Sequence, residues 1–373
     1  MASKAPPRPT EMRSSRRRLA RWQQEQRKAR TALIFGIVAV LVILAIPAYG
    51  YYATFIKPPR EWVVQVNDRI FTMGYLVKLL RMYQRGTELT GQNPNLGTMP
   101  FQIVQVISEN ELVRQVAPRY NITVSKEDID QEVRRRILGT RPPNDTTPPD
   151  QLEREFRERY RQYLTAIRLS EQEHRQLVEW DLYRERMRDY LGQTIPTVQP
   201  QVRLSRLTVP TQDKAREVVQ RFREGQPFPK LVNEYSIDDE EVRKEGDIGW
   251  VVKGIHTDLD EKIICPPEPG SNRETEMPGL FAGIQPGTLL CPQMRPTGPE
   301  GQNVWQVYLV TEVASAREVD SQQREILKTR ALEKWLSEER PKHIVRLNFD
   351  SEKYAWVVKQ LRIASTPTGQ TTR

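Results

Sequence analysis

Cysteine and histidine are scarce in this chain of 373 residues, which contains two cysteines and three histidines. His174 lies on a predicted helix and has no Cys or His partner at the spacing of a zinc site. The sequence also lacks a glycine-rich nucleotide loop and a Gly-x-Ser-x-Gly nucleophile elbow. We therefore expect no metal and no cofactor, and we find no pattern for catalysis by a nucleophilic serine.

Positive charge is abundant in only one part of the chain. Residues 1–31 hold ten Lys or Arg against two Glu, whereas the whole chain has a net charge of +9. The remaining residues are therefore almost neutral, which argues against a nucleic-acid partner, since such proteins carry a basic surface on the folded domain. We interpret residues 1–31 as a basic cytoplasmic tail.

The stretch from residue 31 to residue 56 contains no charged residue. About 20 apolar residues in a helix cross a bilayer core. The sequence predicts a transmembrane helix over residues 32–56, and the basic side of it should face the cytoplasm. These features predict a single-pass protein of the cell membrane, with the bulk of the chain extracytoplasmic. A cleaved signal peptide is the alternative.

The part of the chain that follows is mostly helical by its apolar periodicity. Residues 61–71 read as a strand with a turn at Asn67-Asp68. Ser125 is a suitable N-cap, and Asp128 stands three residues after it, at the capping-box position. The spacing of apolar residues predicts helices over 72–85, 101–120, 125–137, 152–164 and 170–191.

Three motifs in this part resemble the N-terminal domain of the SurA-type periplasmic chaperones. They are Val66-Asn67-Asp68, Ile107…Leu112 and the run from Ile122 to Asp130, in that order. The resemblance implies a helical chaperone domain over 60–198 that is completed by 315–362, so that residues 343–349 return to pack with 62–66. A generic helical spacer is the alternative. Residues 363–373 are expected to be a disordered tail.

A second series of motifs follows in the next part of the chain. The motifs are Gly225…Phe228…Leu231…Tyr235-Ser236, Gly246-Asp247-Ile248-Gly249-Trp250, and Phe281…Pro286-Gly287. Together they resemble the parvulin (PpiC-type) peptidyl-prolyl isomerase domain over about residues 202–313. The resemblance implies an α+β fold with a domain over 200–314 of order βαααβαββ, built on a four-stranded antiparallel-type sheet.

The resemblance also carries over candidate site residues. The family places two histidines on adjacent strands with an Asp or Cys beside them, and those positions fall here on Arg206, Gln306 and Asp238. Both histidines are therefore replaced. The apolar slot for the proline ring falls on Ile248, His256, Leu259 and Phe281. Arg and Gln both form several hydrogen bonds, so we hypothesise that they replace the histidine network.

Two functions are consistent with these residues. The first is a foldase that isomerises X-Pro bonds of unfolded or nascent exported polypeptides, because uncatalysed isomerisation takes tens of seconds or more. The second is a non-catalytic chaperone or scaffold that binds unfolded segments, which the two missing histidines favour. An assembly factor for one membrane partner is a third reading.

The two cysteines, Cys265 and Cys291, both lie in the part expected outside the cytoplasm, where disulfides form. The sequence leaves two possibilities open, a disulfide between them and two free thiols. Residues 265–279 form a Pro- and Gly-rich insertion beside the expected slot, which we interpret as a tolerated surface loop.

Overall fold

The structure is a computed structural model that describes residues 41–89, 95–140, 147–267, 273–296 and 303–365. It is a mixed α+β structure in which the described strand pairs are antiparallel, in agreement with the expected class. Two compact units are present. The first combines Met1–Ser108, Glu153–Glu171 and Ile344–Arg373, and the second combines Glu109–Leu152 and Gln172–His343.

Strands and helices alternate along the chain in an order close to that expected. The described strands are β1 (Trp62–Val66), β2 (Arg69–Thr72), β3 (Val198–Val209), β4 (Asp247–Val252), β5 (Lys262–Cys265), β6 (Thr275–Pro278), β7 (Gln293–Arg295), β8 (Val304–Glu318) and β9 (Val345–Leu347). The main helices are α1 (Met73–Leu89), α2 (Met99–Val116), α3 (Lys126–Leu138), α4 (Pro149–Ile167), α5 (Glu171–Gly192), α6 (Gln212–Arg223), α7 (Phe228–Tyr235), α8 (Asp239–Arg243), α9 (Thr257–Asp260), α10 (Ser321–Glu339) and α11 (Ser351–Ser365).

The prediction of a transmembrane helix over 32–56 is wrong, because no helix in the described ranges is long and apolar enough to cross a membrane. The predicted single-pass location in a cell membrane is contradicted with it. Residues 1–31, 32–40 and 366–373, which carried the tail predictions and the start of the helix, lie outside the described residues.

The first unit contains a three-stranded sheet of order β2-β1-β9. Asn67 adopts a left-handed conformation at the tight turn between β1 and β2, a conformation that asparagine tolerates. On the other side of β1, Val64 pairs with Leu347 and Val66 pairs with Val345. This pairing agrees with the expected return of residues 343–349 to 62–66.

Apolar residues from distant parts of the sequence form the core of this unit. Val64 and Val66 of β1 are fully buried, as are Leu76 and Leu80 of α1. Helix α11 packs against α1, where Leu361 is also fully buried. Burial of one such side chain stabilises the fold by about 1.5–3 kcal/mol, so α11 is an integral part of this unit.

The second unit contains a four-stranded antiparallel sheet of order β4-β3-β8-β7. Alternate residues of the two central strands face opposite sides, as the period of two dictates. Leu207 and Val307 pack against α6 and α7 on one side. Leu204 and Tyr308 pack on the other side in a second apolar cluster. The hairpin β5–β6 is an addition between α9 and β7, at the insertion that the sequence shows.

Candidate functional site

The pairing of β3 with β8 brings the candidate polar residues onto one face of the sheet. Arg206 lies opposite Tyr308, and Thr208 lies opposite Gln306. Residues two apart on a strand share a face, so Arg206 and Thr208 point the same way, as do Gln306 and Tyr308. Four polar side chains thus meet on the two central strands.

Glu241, which no sequence motif singles out, lies at the centre of this group. Its side chain is almost completely buried. Its two oxygens accept four hydrogen bonds, from Arg206 Nε at 2.5 Å, Thr208 N at 2.8 Å, Thr208 Oγ1 at 2.7 Å and Ser236 Oγ at 2.6 Å. A buried carboxylate is tolerated when it is paired and hydrogen-bonded in this way.

Arg206 is held between two carboxylates. Its Nη2 lies 3.6 Å from Asp238 Oδ2, in addition to the contact with Glu241. Burial alone would lower the pKa of Arg206, but the hydrogen bond and charge of Glu241 outweigh it and hold the pKa above the ordinary value. The side chain remains 27% exposed. Arg206 is therefore a fixed cation that still reaches the surface.

Asp238 has a structural task beside its contact with Arg206. It caps the N-terminus of α8, where Oδ1 accepts hydrogen bonds from Glu240 N at 2.9 Å and Glu241 N at 3.3 Å. Such a cap satisfies donors that a helix start leaves unpaired. By fixing the first turn of α8, Asp238 fixes the position of Glu241.

Gln306 extends the hydrogen-bonded group toward the core. Its Nε2 donates to Thr208 Oγ1 at 3.4 Å, and Tyr308 Oη donates to its Oε1 at 2.6 Å. Burial raises the pKa of Tyr308, against the opposing charges of Arg295 and Arg206. We call the set of Arg206, Thr208, Asp238, Glu241, Gln306 and Tyr308 the polar network.

The candidate slot residues lie beside the polar network but differ in accessibility. Ile248 and Phe281 are partly exposed and pack on the cluster that contains Tyr308. Leu259 is fully buried in that cluster. It therefore packs beneath the residues of the slot and does not line the slot's surface. The His256 ring lies 6.2 Å from the Tyr308 ring between centroids.

His256 lies in a cationic environment. Burial lowers its pKa, and the charges of Arg295 and Arg206 act in the same direction, while Asp258 opposes them. Arg295 pairs with Asp258 at 2.5 Å. The structure thus brings together the three residues carried over as catalytic and places three of the four slot residues at or near the surface beside them.

Cys265 and Cys291 are bonded to each other. The bond ties the end of β5 to the segment that precedes β7. Within the described ranges, no cluster of three His, Cys, Asp or Glu side chains is grouped as around a metal ion.

Three members of the polar network were not among the candidate site residues predicted from the sequence: Thr208, Glu241 and Tyr308. Thr208 and Tyr308 each stand two residues from a selected position on the same strand, and the strand period predicts their shared face. Glu241 follows Asp238 by three residues at the start of a helix, where an acid usually helps to cap that helix. Here it turns to β3, which the local sequence does not reveal.

Comparison with known families identifies the first part of the chain. Residues 23–188 match the family model of the SurA-like N-terminal domain. This part of the chain is therefore similar to that domain. The polar network lies beyond this domain, so the match supplies no information about it. No curated protein matches the chain.

Solved structures show distant likenesses that extend past the SurA-like domain. Peptidylprolyl isomerase PrsA from Bacillus anthracis is 14% identical with a TM-score of 0.36, covering 70% of this chain and 97% of that one. Foldase protein PrsA from Streptococcus pneumoniae is 11% identical with a TM-score of 0.30, covering 80% and 91%. The parvulin NmPin from Nitrosopumilus maritimus is 20% identical with a TM-score of 0.20, covering 31% and 98%. At these TM-scores the likenesses carry no argument.

Proposed function

We propose that this protein is a folding chaperone for exported polypeptides that works outside the cytoplasm. The observation that carries the proposal is the SurA-like domain over residues 23–188. The disulfide between Cys265 and Cys291 supports it, because disulfides persist in oxidising compartments. Its partners are unfolded segments with exposed apolar side chains.

The four-stranded sheet supplies a surface suited to proline-containing segments. Ile248 and Phe281 offer apolar contact for a proline ring, and Arg206 offers donors for the backbone carbonyls beside it. Both kinds of group are partly exposed and lie on the same side of the sheet. An extended segment therefore finds apolar and hydrogen-bonding partners next to each other.

Suppression of aggregation tests the chaperone proposal. A reduced and alkylated client protein that cannot refold is mixed with the full chain, and light scattering is followed. We expect scattering to fall as the chain approaches the client concentration. Ile248→Asp should weaken the effect on proline-rich clients, whereas Ile264→Asp, an exposed position on β5, serves as the matched control. A chain that leaves aggregation unchanged contradicts the proposal.

Prolyl isomerisation is the second candidate function, and the position of Arg206 favours it. The barrier arises from the planar amide, and a catalyst binds the twisted amide better than the planar one. The twisted nitrogen regains a lone pair that accepts a hydrogen bond. The described contacts of the guanidinium with Glu241 and Asp238 use Nε and one Nη, and a guanidinium has five donors.

Exchange NMR on X-Pro peptides tests the second candidate without disturbing the first. Each 1.4 kcal/mol of preferential binding gives about tenfold in rate, and we expect acceleration that Arg206→Gln removes. Arg203→Gln is the matched control, because Arg203 lies on the same strand and pairs instead with Asp247 and Glu312. No acceleration, with aggregation still suppressed, leaves a binding module without turnover.

A further inference from the structure

A groove of about 980 Å³ lies between helix α6 and the disulfide-linked segments around β5 and β7. Its described lining includes neither Arg206 nor Glu241 nor Gln306. It is therefore separate from the polar network. The volume is at the upper end of the range of about 300–1,000 Å³ that ligand pockets occupy.

The two walls of the groove are largely apolar. Val219 and Phe222 of α6 form one wall, and Met277 and Leu289 lie in the other. Val219 and Phe222 also pack on the core cluster beneath α6, so their positions are fixed. Apolar walls of this kind take aliphatic or aromatic side chains.

The wall opposite α6 is held in place by covalent and polar links. The Cys265–Cys291 disulfide joins its two segments. Arg216 Nη2 donates to the Pro267 carbonyl at 2.8 Å, which ties this wall to α6. Gln293 Nε2 donates to the Ile264 carbonyl at 3.1 Å. A site formed in advance loses less conformational entropy when it binds.

The charge of the lining is of one sign. Arg216 and Arg223 line the groove, and the described lining contains no carboxylate. Asp213 pairs with Arg216 at 3.3 Å from the solvent side and partly offsets its charge. Arg223 is exposed at the end of α6. The groove therefore favours an occupant that carries negative charge beside apolar groups.

We propose that this groove binds an extended client segment in which an acidic side chain lies beside apolar ones. The inference rests on the proposed chaperone function and names a second client-binding site with its own preference. This site does not require proline. Neither the SurA-like domain nor the polar network accounts for a preference for acidic client segments.

Fluorescence anisotropy with two proline-free peptides tests the inference on the full chain. Both peptides are amidated octapeptides of Leu, Phe and Ala that carry an uncharged BODIPY dye on the N-terminal amine, one with a central Glu and the other with Gln. Amidation removes the C-terminal carboxylate as a competing source of charge. We expect the Glu peptide to bind about fivefold more tightly at low salt, an advantage that added salt reduces.

Two substitutions locate the binding, each with a matched control. Gln220→Trp fills the groove from α6 and should abolish binding of both peptides. Gln162→Trp is its control, because Gln162 also lies on a helix surface and donates to an acid four residues before it, at 2.8 Å. Arg223→Glu should weaken the Glu peptide by about tenfold and the Gln peptide by about twofold. Lys334→Glu, an exposed reversal outside the lining, should change neither.

Each outcome bears on the inference separately from the proposed function. Equal binding of the two peptides, or binding that Gln220→Trp leaves intact, overturns it. A chain that suppresses client aggregation but does not bind the Glu peptide supports the proposed function and contradicts the inference about the groove. A chain that neither suppresses aggregation nor binds the Glu peptide contradicts both the proposed function and the inference.

Discussion

Glu241 is the residue on which the arrangement of the polar network depends. A carboxylate removed from water is costly unless donors replace the lost hydration. Glu241 receives donors from β3, from Ser236 and from Arg206, so one buried acid links the sheet to α8. The loss of its charge leaves the Arg206 guanidinium without its main partner.

Substitution of Glu241 by Gln should lower the free energy of unfolding by about 3 kcal/mol, because breaking a buried ion pair leaves the remaining charge without a partner. Urea unfolding monitored by circular dichroism measures the change. Glu240→Gln is the matched control, since Glu240 pairs with Lys244 on the exposed surface, where such a pair contributes at most about 1 kcal/mol. Equal losses in the two variants contradict the assignment.

Gly246 sits where the backbone of β3 approaches α8. Its φ is +86°, and a Cβ there would lie 2.9 Å from the Arg206 carbonyl oxygen and 2.9 Å from Val232 Cγ2. Gly246→Ala should therefore destabilise the chain by about 2 kcal/mol through strain and overlap. Gly225→Ala, at φ +95° with open space around it, should cost only the backbone part, about 1 kcal/mol. Thermal unfolding of the two variants separates the contributions.

Protonation of His256 should weaken the fold in mild acid. Burial and the charges of Arg295 and Arg206 lower its pKa in the folded state, whereas the unfolded value is about 6.5. The unfolded state therefore binds the proton first, and stability falls as the pH drops below about 6.5. His256→Gln should flatten the stability profile in this window. An unchanged slope in urea titrations between pH 7 and 5 contradicts this.

At the scale of single residues, sequence prediction depended on whether a contact is local. The capping box between Ser125 and Asp128 was predicted and is present, because both partners lie within one turn. Arg186 donates to Asp128 from α5 and, with Ser125, lowers the Asp128 pKa to about 2. Neither that partner nor the turn of Glu241 toward β3 could be predicted, since each depends on packing between elements far apart in sequence.

At the scale of elements, the disulfide defines the behaviour of the β5–β6 hairpin. This hairpin has only two strands, and an isolated two-stranded hairpin is marginally stable. The disulfide closes a loop between residues 26 apart in sequence, which raises the free energy of the unfolded chain by about 3.5 kcal/mol in the chain-entropy account. We therefore expect the disulfide to stabilise this hairpin more than it stabilises the central sheet.

Reduction should loosen the hairpin before it affects the central sheet. Hydrogen exchange in the double variant Cys265→Ser, Cys291→Ser should show faster exchange in β5 and β6 and unchanged protection in β3 and β8. The central strands carry their own core, which includes the fully buried Leu204 and Val307. Simultaneous loss of protection in all four strands contradicts a local role for the bond.

Element types were more predictable than the ends of the chain. The apolar periodicity of α1 and α2 marked both helices, and the central sheet was implied by the resemblance to the parvulin domain. The membrane-spanning prediction used hydropathy and charge along 32–56 alone, and it is contradicted because no helix in the described ranges is long and apolar enough to cross a membrane. Helix α11 was not predicted, and its packing on α1 depends on a contact across most of the sequence.

At the scale of the whole molecule, the first unit is built from segments that are distant in sequence. Its central strand β1 pairs with β9, and α11 supplies fully buried Val357 and Leu361. A chain that ends at His343 should therefore lose this unit, while a chain that ends at Ser365 should keep it. Limited proteolysis of residues 62–89 in the two truncations measures the difference. Equal resistance contradicts the role of the C-terminal segments.

The late position of β9 also determines the order in which the protein acquires structure. Val64 must wait for Leu347, which lies 283 positions later along the chain, whereas β3 and β8 are complete once residue 318 is available. Contacts across such separations form slowly, and chains fold from the N-terminus as they are synthesised. For most of its own synthesis, the chain therefore presents an unpaired strand edge at β1, and under the proposed chaperone function the nascent protein is itself a candidate client of its finished copies.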